Sequence, residues 1–196
     1  MGLGNPGAEF DRTRHNLGAE TAVLVADRHG ERLRAEKGTR SDVALLRLPA
    51  GPVAVAVPQT YMNESGLAVA ALMRRYGVSD LGRLVVVHDE LDLPGGRVKV
   101  KVGGGTAGNN GLKSIHAHVH GDGYVRVRIG IGKPPGRQPG ADYVLHRPGR
   151  AECEALDVAV AVAADAVEMI ATDGADAAML RFNTEISTQP ADRADS

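Results

Sequence analysis

Apolar positions along this chain follow two rhythms, one of period two and one near 3.6, and these alternate from end to end. Apolar spacing predicts a helix over 17–29, stopped by Gly30. The short β-rich runs 42–48 and 53–58, joined through Pro49, Ala50 and Gly51, read as a hairpin. A second helix is expected over 66–76, with Ser65 near its N-cap and Gly77 near its C-cap. "LVVVHDE" (84–90) opens with a continuous apolar run, as a central strand buried on both faces does. "RVKVKV" (97–102) and "VRVRIGIG" (125–132) alternate strictly, as strands with one wet face do. A Gly-rich loop then leads to a helix over 111–119, and 134–140 reads as a loop.

The longest helix is expected over 148–171, where Leu156, Val160, Ala163, Val167 and Ile170 form a single apolar stripe. Asp173 and Gly174 end it, and a short helix follows over 175–181. No internal repeat and no second apolar core are visible. The pattern predicts an α/β fold: a single-domain α/β/α sandwich around a twisted mixed β-sheet, spanning 1–186. Residues 187–196 read as a polar, disordered tail.

Composition narrows the function. The chain has 196 residues, 43% of them hydrophobic, which suits one domain with its own core. With no signal-peptide pattern and no long apolar run, the expectation is a cytoplasmic protein without a membrane segment. A single cysteine, Cys153, excludes an internal disulfide and a multi-cysteine zinc site, and reads as a helix-surface or packing residue. Trp is absent and Phe and Tyr are few, which argues against an aromatic platform for single-stranded nucleic acid. The net charge of −1 hides an asymmetry: from 151 onward ten acidic residues face two basic ones, whereas residues 1–150 carry +7. The charge of the larger part fits either a basic surface for a polyanion or ordinary solubility charge, and charge alone does not choose between them. In the two alternating strands, Arg97, Lys99 and Lys101 fall on one face, as do Arg126 and Arg128. If the strands pair, five cations share a face, and like charges so placed repel unless phosphate neutralises them.

"GLGNPG" (2–7) spells a dinucleotide-binding loop, but that loop needs a strand before it and a helix starting inside it. Only Met1 precedes Gly2, and 8–16 is polar and irregular. The stretch reads instead as an Asn-Pro-Gly turn that presents Asn5 and leads to His15. Asp89 lies where the buried strand meets its loop, the edge at which α/β folds collect functional groups. A His beside an Asp can take a proton from water, and Asn amides can stabilise an oxyanion. No G-x-S-x-G elbow occurs. The set therefore points to hydrolysis by activated water, with no covalent intermediate, metal or cofactor. His116, His118 and His120 converge only if they lie on a strand; on a helix they diverge.

Taken together, "GLGNPG…TRHNLG", "PQTYMNESG", "VVVHDELDLPGGRVKVKVGGG" and "NNGLKSI…VRVRIGIGKP" resemble bacterial peptidyl-tRNA hydrolases, in order, over residues 2 to about 183. The resemblance implies a monomer that cleaves the ester between a peptide and the 3′ ribose of tRNA, engaging the acceptor stem and 3′ CCA end. It implies His15 as catalytic histidine and Asp89 as its support. It gives substrate-binding roles to Asn5, Asn63 and Asn110, with Phe10, Tyr61 and Met62 lining the cleft. Lys99, Lys101 and Arg128 match the cations that grip tRNA phosphate.

The chain departs from the family pattern at three places. Met1 stands where an apolar first strand is usual, which implies either a misassigned start or a sheet lacking most of a central strand. Asn109 stands where His is usual, replacing a titrating ring by an amide. Thr106, Ala107 and Gly108 replace a more Gly/Ser-rich stretch, which implies a stiffer loop. An alternative reading of the same fold is a non-catalytic RNA-binding module, against which stand the retained His15, Asp89 and the three Asn.

Overall fold

In the computed structural model, which describes residues 1–184, the two rhythms become strands and helices in alternation. The order is α1 (Leu17–Arg28), β1 (Arg34–Glu36), β2 (Ser41–Leu48), β3 (Gly51–Pro58), α2 (Ser65–Arg75), β4 (Val85–Glu90), β5 (Val98–Val102), α3 (Asn110–Val119), β6 (Val125–Gly130), α4 (Gly140–Val144), α5 (Arg150–Asp173) and α6 (Ala175–Asn183). Two short elements escape the sequence pattern: β1, which has no apolar alternation, and α4, which lies at the end of a Pro/Gly-rich loop. The expected tail, 187–196, lies outside the described residues.

Strands β1, β2 and β3 form an antiparallel sheet in that order. Strands β4, β6 and β5 form a mixed one, with β4 parallel and β5 antiparallel to β6. Helices α1, α5 and α6 cover one side, and α2 and α3 the other. The α5 stripe behaves as its spacing predicts: Leu156, Val160 and Ala163 pack with Val127 and Ile129 of β6.

Among the described residues, backbone hydrogen bonds join the two half-sheets through Met1–Leu3. Gly2 bridges Val87 in parallel. Leu3 N–H donates to Val87 O, Val87 N–H to Met1 O, and Gly2 N–H to Ala56 O of β3. The Met1 ammonium donates to Val85 O at 2.9 Å, and burial lowers its pKa to about 6. Beyond this stub a cavity of about 510 Å³ runs between β3 and β4, lined by apolar residues such as Val55, Val69, Leu72 and Val87. Met1–Leu3 thus lies as a short parallel stretch between β3 and β4.

The glycines of the opening motif serve this stub. A Cβ on Gly2 would lie 2.0 Å from Gly18 O, and one on Gly18 would lie 2.2 Å from Val87 O. Glycine at both lets α1 press against the stub, where Ala19 N–H donates to Leu3 O. Gly7, at φ 112°, closes the turn after Asn5 in a conformation that glycine adopts without strain.

Candidate active site

The site lies at the carboxyl end of β4. Asp89 is its penultimate residue and is 4% exposed. His15 sits in the tight turn Arg14–Asn16 that leads into α1, 8% exposed. Their side chains meet at His15 Nδ1–Asp89 Oδ1, 2.8 Å. An ionised carboxylate only accepts, so Nδ1 carries the proton and Nε2 holds the lone pair. Burial disfavours the charged ring, but the charge and hydrogen bond of Asp89 outweigh it, and the His15 pKa is raised.

Asn5 is fixed by a residue that the sequence pattern did not single out. Its N–H donates to Asn16 Oδ1 at 2.8 Å, and Asn16 Nδ2 donates back to Asn5 O at 2.9 Å. Asn5 Oδ1 accepts from Met62 N–H at 2.7 Å. That bond joins the Asn-Pro-Gly turn to the Met62–Glu64 turn, which carries Asn63. The available signal was position alone, since Asn16 directly follows His15.

One cleft of about 460 Å³ brings these groups together. His15 and Asp89 line it, as do Asn5, Asn63 and Asn110. Phe10 and Tyr61 stand edge to face, 6.4 Å between centroids, at its margin. Met62 also borders it, yet is 4% exposed and packs mainly with Leu3, Leu112 and Ile115. Asn109 lines the cleft and caps α3, its Oδ1 accepting from Leu112 N–H at 3.1 Å. The amide there therefore has a structural task that needs no titrating group. Glu90, Ala107 and Gly108 also line it, and further wall comes from Leu91 and from Ala141, Val144 and Leu145 in and after α4, four residues that the pattern did not mark.

The cationic face differs from the expected five. Strands β5 and β6 do pair, with Lys99 opposite Arg128 and Lys101 opposite Arg126. Arg126, however, is 3% exposed. Its guanidinium donates to Gly105 O at 2.6 Å and to Gly104 O, and it meets His116 Nε2 at 3.0 Å. The backbone of the Gly-rich loop therefore covers what the alternation read as a wet position. Arg97 turns to the end of α6, donating to Asn183 O and Thr184 O. Lys99, Lys101 and Arg128 remain. Arg128 Nε lies 3.0 Å from Glu90 Oε2, and Glu90 borders the cleft. His116 and His118 lie on α3 with separate partners: His118 Nδ1 bonds Ser114 O at 2.8 Å.

A family model described as peptidyl-tRNA hydrolase matches residues 1–190. The chain is 45% identical over 195 residues to a peptidyl-tRNA hydrolase of Cutibacterium acnes, covering 94% of this chain and 96% of that one. It is 48% identical over 178 residues to the corresponding protein of Nocardia farcinica, covering 91% and 92%. Among solved structures, peptidyl-tRNA hydrolase from Acinetobacter baumannii superposes with a TM-score of 0.86 at 33% identity, covering 93% of this chain and 92% of that one.

Proposed function

This chain belongs to the peptidyl-tRNA hydrolase family, and from that premise we propose that His15, held by Asp89, is the general base of the reaction. The reaction itself is hydrolysis of the ester that joins a peptide to tRNA. The observation that carries the assignment is the 2.8 Å contact between two buried side chains at the cleft wall.

In this reading His15 Nε2 takes a proton from water, and the hydroxide so formed attacks the ester carbonyl. Asn amides donate to the oxyanion, and the protonated ring then gives its proton to the departing ribose oxygen. Asp89 stabilises the imidazolium meanwhile. A base of this kind needs no Lewis acid, so turnover persists in EDTA. Asn5 suits a contact to the peptide: its Oδ1 is engaged by Met62 N–H, and its Nδ2 has no partner among the described residues. That amide nitrogen only donates, so it suits a peptide carbonyl, and an N-acylated substrate supplies a carbonyl that free aminoacyl-tRNA lacks. Lys99, Lys101 and Arg128 hold acceptor-stem phosphate.

The test is release of labelled N-acetyl-aminoacyl groups from charged tRNA in EDTA, with unblocked aminoacyl-tRNA as control. Release from the blocked substrate alone is expected. His15→Ala should lower turnover at least ~100-fold while leaving tRNA binding nearly unchanged. Retained turnover in that variant would remove His15 from the mechanism.

A further inference from the structure

Arg14 directly precedes His15 and is 7% exposed, yet it does not line the cleft. Its Nε and one terminal nitrogen grip both carboxylate oxygens of Glu152, each at 2.6 Å. The other terminal nitrogen donates to Tyr143 O at 3.2 Å and His146 O at 3.0 Å. The guanidinium also stacks 4.0 Å over the Tyr143 ring, whose hydroxyl donates to Ile131 O at 3.0 Å. Tyr143 and His146 lie at the C-terminal end of α4, where the Tyr143 carbonyl also accepts from His146 N–H at 3.3 Å. A helix of five residues cannot hold itself in water, so its placement depends on such contacts.

A second arginine crosses the same gap in the opposite direction. From just beyond α4, Arg147 Nε donates to Asp11 O at 2.8 Å and its terminal nitrogen to Ala8 O at 3.1 Å. Ala8–Phe10 is the turn that carries Phe10 to the cleft. The segment 140–147 is thus clasped twice to the stretch that bears Phe10 and His15. What this segment offers the cleft is apolar: Ala141, Val144 and Leu145, the last 42% exposed and available to be covered. The titratable groups and amides come from the other walls. An apolar wall distinguishes an acyl side chain by fit, whereas sugar and phosphate gain nothing from it.

We propose that Arg14 and Arg147 are positioning residues that hold the 140–147 segment against the His15 turn and thereby set the fit of the substrate's acyl side chain. This rests on ester hydrolysis at His15. The experiment charges one tRNA with N-acetyl-glycine or N-acetyl-leucine and measures kcat and KM for the unaltered chain, Arg14→Gln and Arg147→Gln. In both variants KM for the leucyl substrate should rise about tenfold, and that for the glycyl substrate should stay within about twofold. The pH midpoint of turnover should not move, because the His15–Asp89 contact is untouched.

Equal changes on both substrates, or none, overturn the proposal; the first outcome would place the terminal adenosine or general loosening at this wall. Should Arg14→Gln fail to fold, Arg147→Gln decides on the same criterion, because Arg147 is exposed. An unaltered chain that releases neither substrate defeats the hydrolytic reading itself, which a substrate-selective loss cannot mimic.

Discussion

His15 must be neutral to accept a proton, so kcat/KM should rise with pH through its folded-state pKa. Burial alone would move that value below the ordinary ~6.5, but Asp89 reverses the shift and raises it. The neutral form is therefore gained only above the ordinary value. Asp89→Asn removes the raising charge and leaves the burial. The midpoint of the kcat/KM profile should then fall below that of the unaltered chain, and turnover should drop roughly tenfold or more. An unmoved midpoint would mean that the titrating group is not paired with Asp89. At this scale the types and spacing of His15, Asp89 and Asn5 were legible in the sequence. Asn16 was not, because its task is to hold a backbone eleven residues away, and no local pattern encodes that partner.

At the scale of elements, strands β5 and β6 show what alternation does and does not decide. It correctly divided Val98 and Val100 from Lys99 and Lys101. It could not say that Gly104 and Gly105 would fold back over Arg126, so one of the expected surface cations is instead an anchor for the loop before α3. The surviving cations belong to two paired strands, which holds their spacing rigid. Replacing Lys99 and Lys101 by Gln should weaken tRNA binding and reduce the slope of log K against log salt by about 1 per lysine. Turnover at saturating substrate should be retained. Titration of binding against salt checks this, and an unchanged slope would place the phosphates elsewhere.

At the scale of the molecule, two three-stranded sheets are joined through a three-residue stub, beside an apolar slot of about 510 Å³. Strand edges of β3 and β4 flank this slot, and unpaired backbone in such a place is costly. Where Met1 is the first residue, the stub carries an ammonium whose pKa falls from 8.0 to about 6 on burial. The unfolded chain therefore binds this proton more readily, and stability is lost as pH falls from 8 through 6, by about 2–3 kcal/mol once below both values. Adding a few apolar residues upstream of Met1 turns the amine into an amide and extends the stub into the slot. The thermal midpoint should rise, and the gain should widen as pH falls from 8 to 6. The raised His15 pKa acts with opposite sign but is common to both chains, so the difference isolates the amine. Thermal unfolding of the two chains at both pH values checks this, and an equal midpoint at low pH would show that the slot does not seat a strand.

Sequence alone determined the elements whose signal is periodic and local: the α5 stripe, the buried run of β4, the pairing-competent β5 and β6, and the turn that presents Asn5. It also brought forward the residue types on which the proposed mechanism rests, because an imidazole, a carboxylate and several amides have few joint uses. Tertiary structure alone decided which half of the sheet each strand joins, that Arg126 is enclosed, and that Asn109 caps a helix. It also decided that a five-residue helix walls the cleft. These depend on partners far along the chain, and hydrogen bonds between such partners leave no periodicity for a sequence to carry.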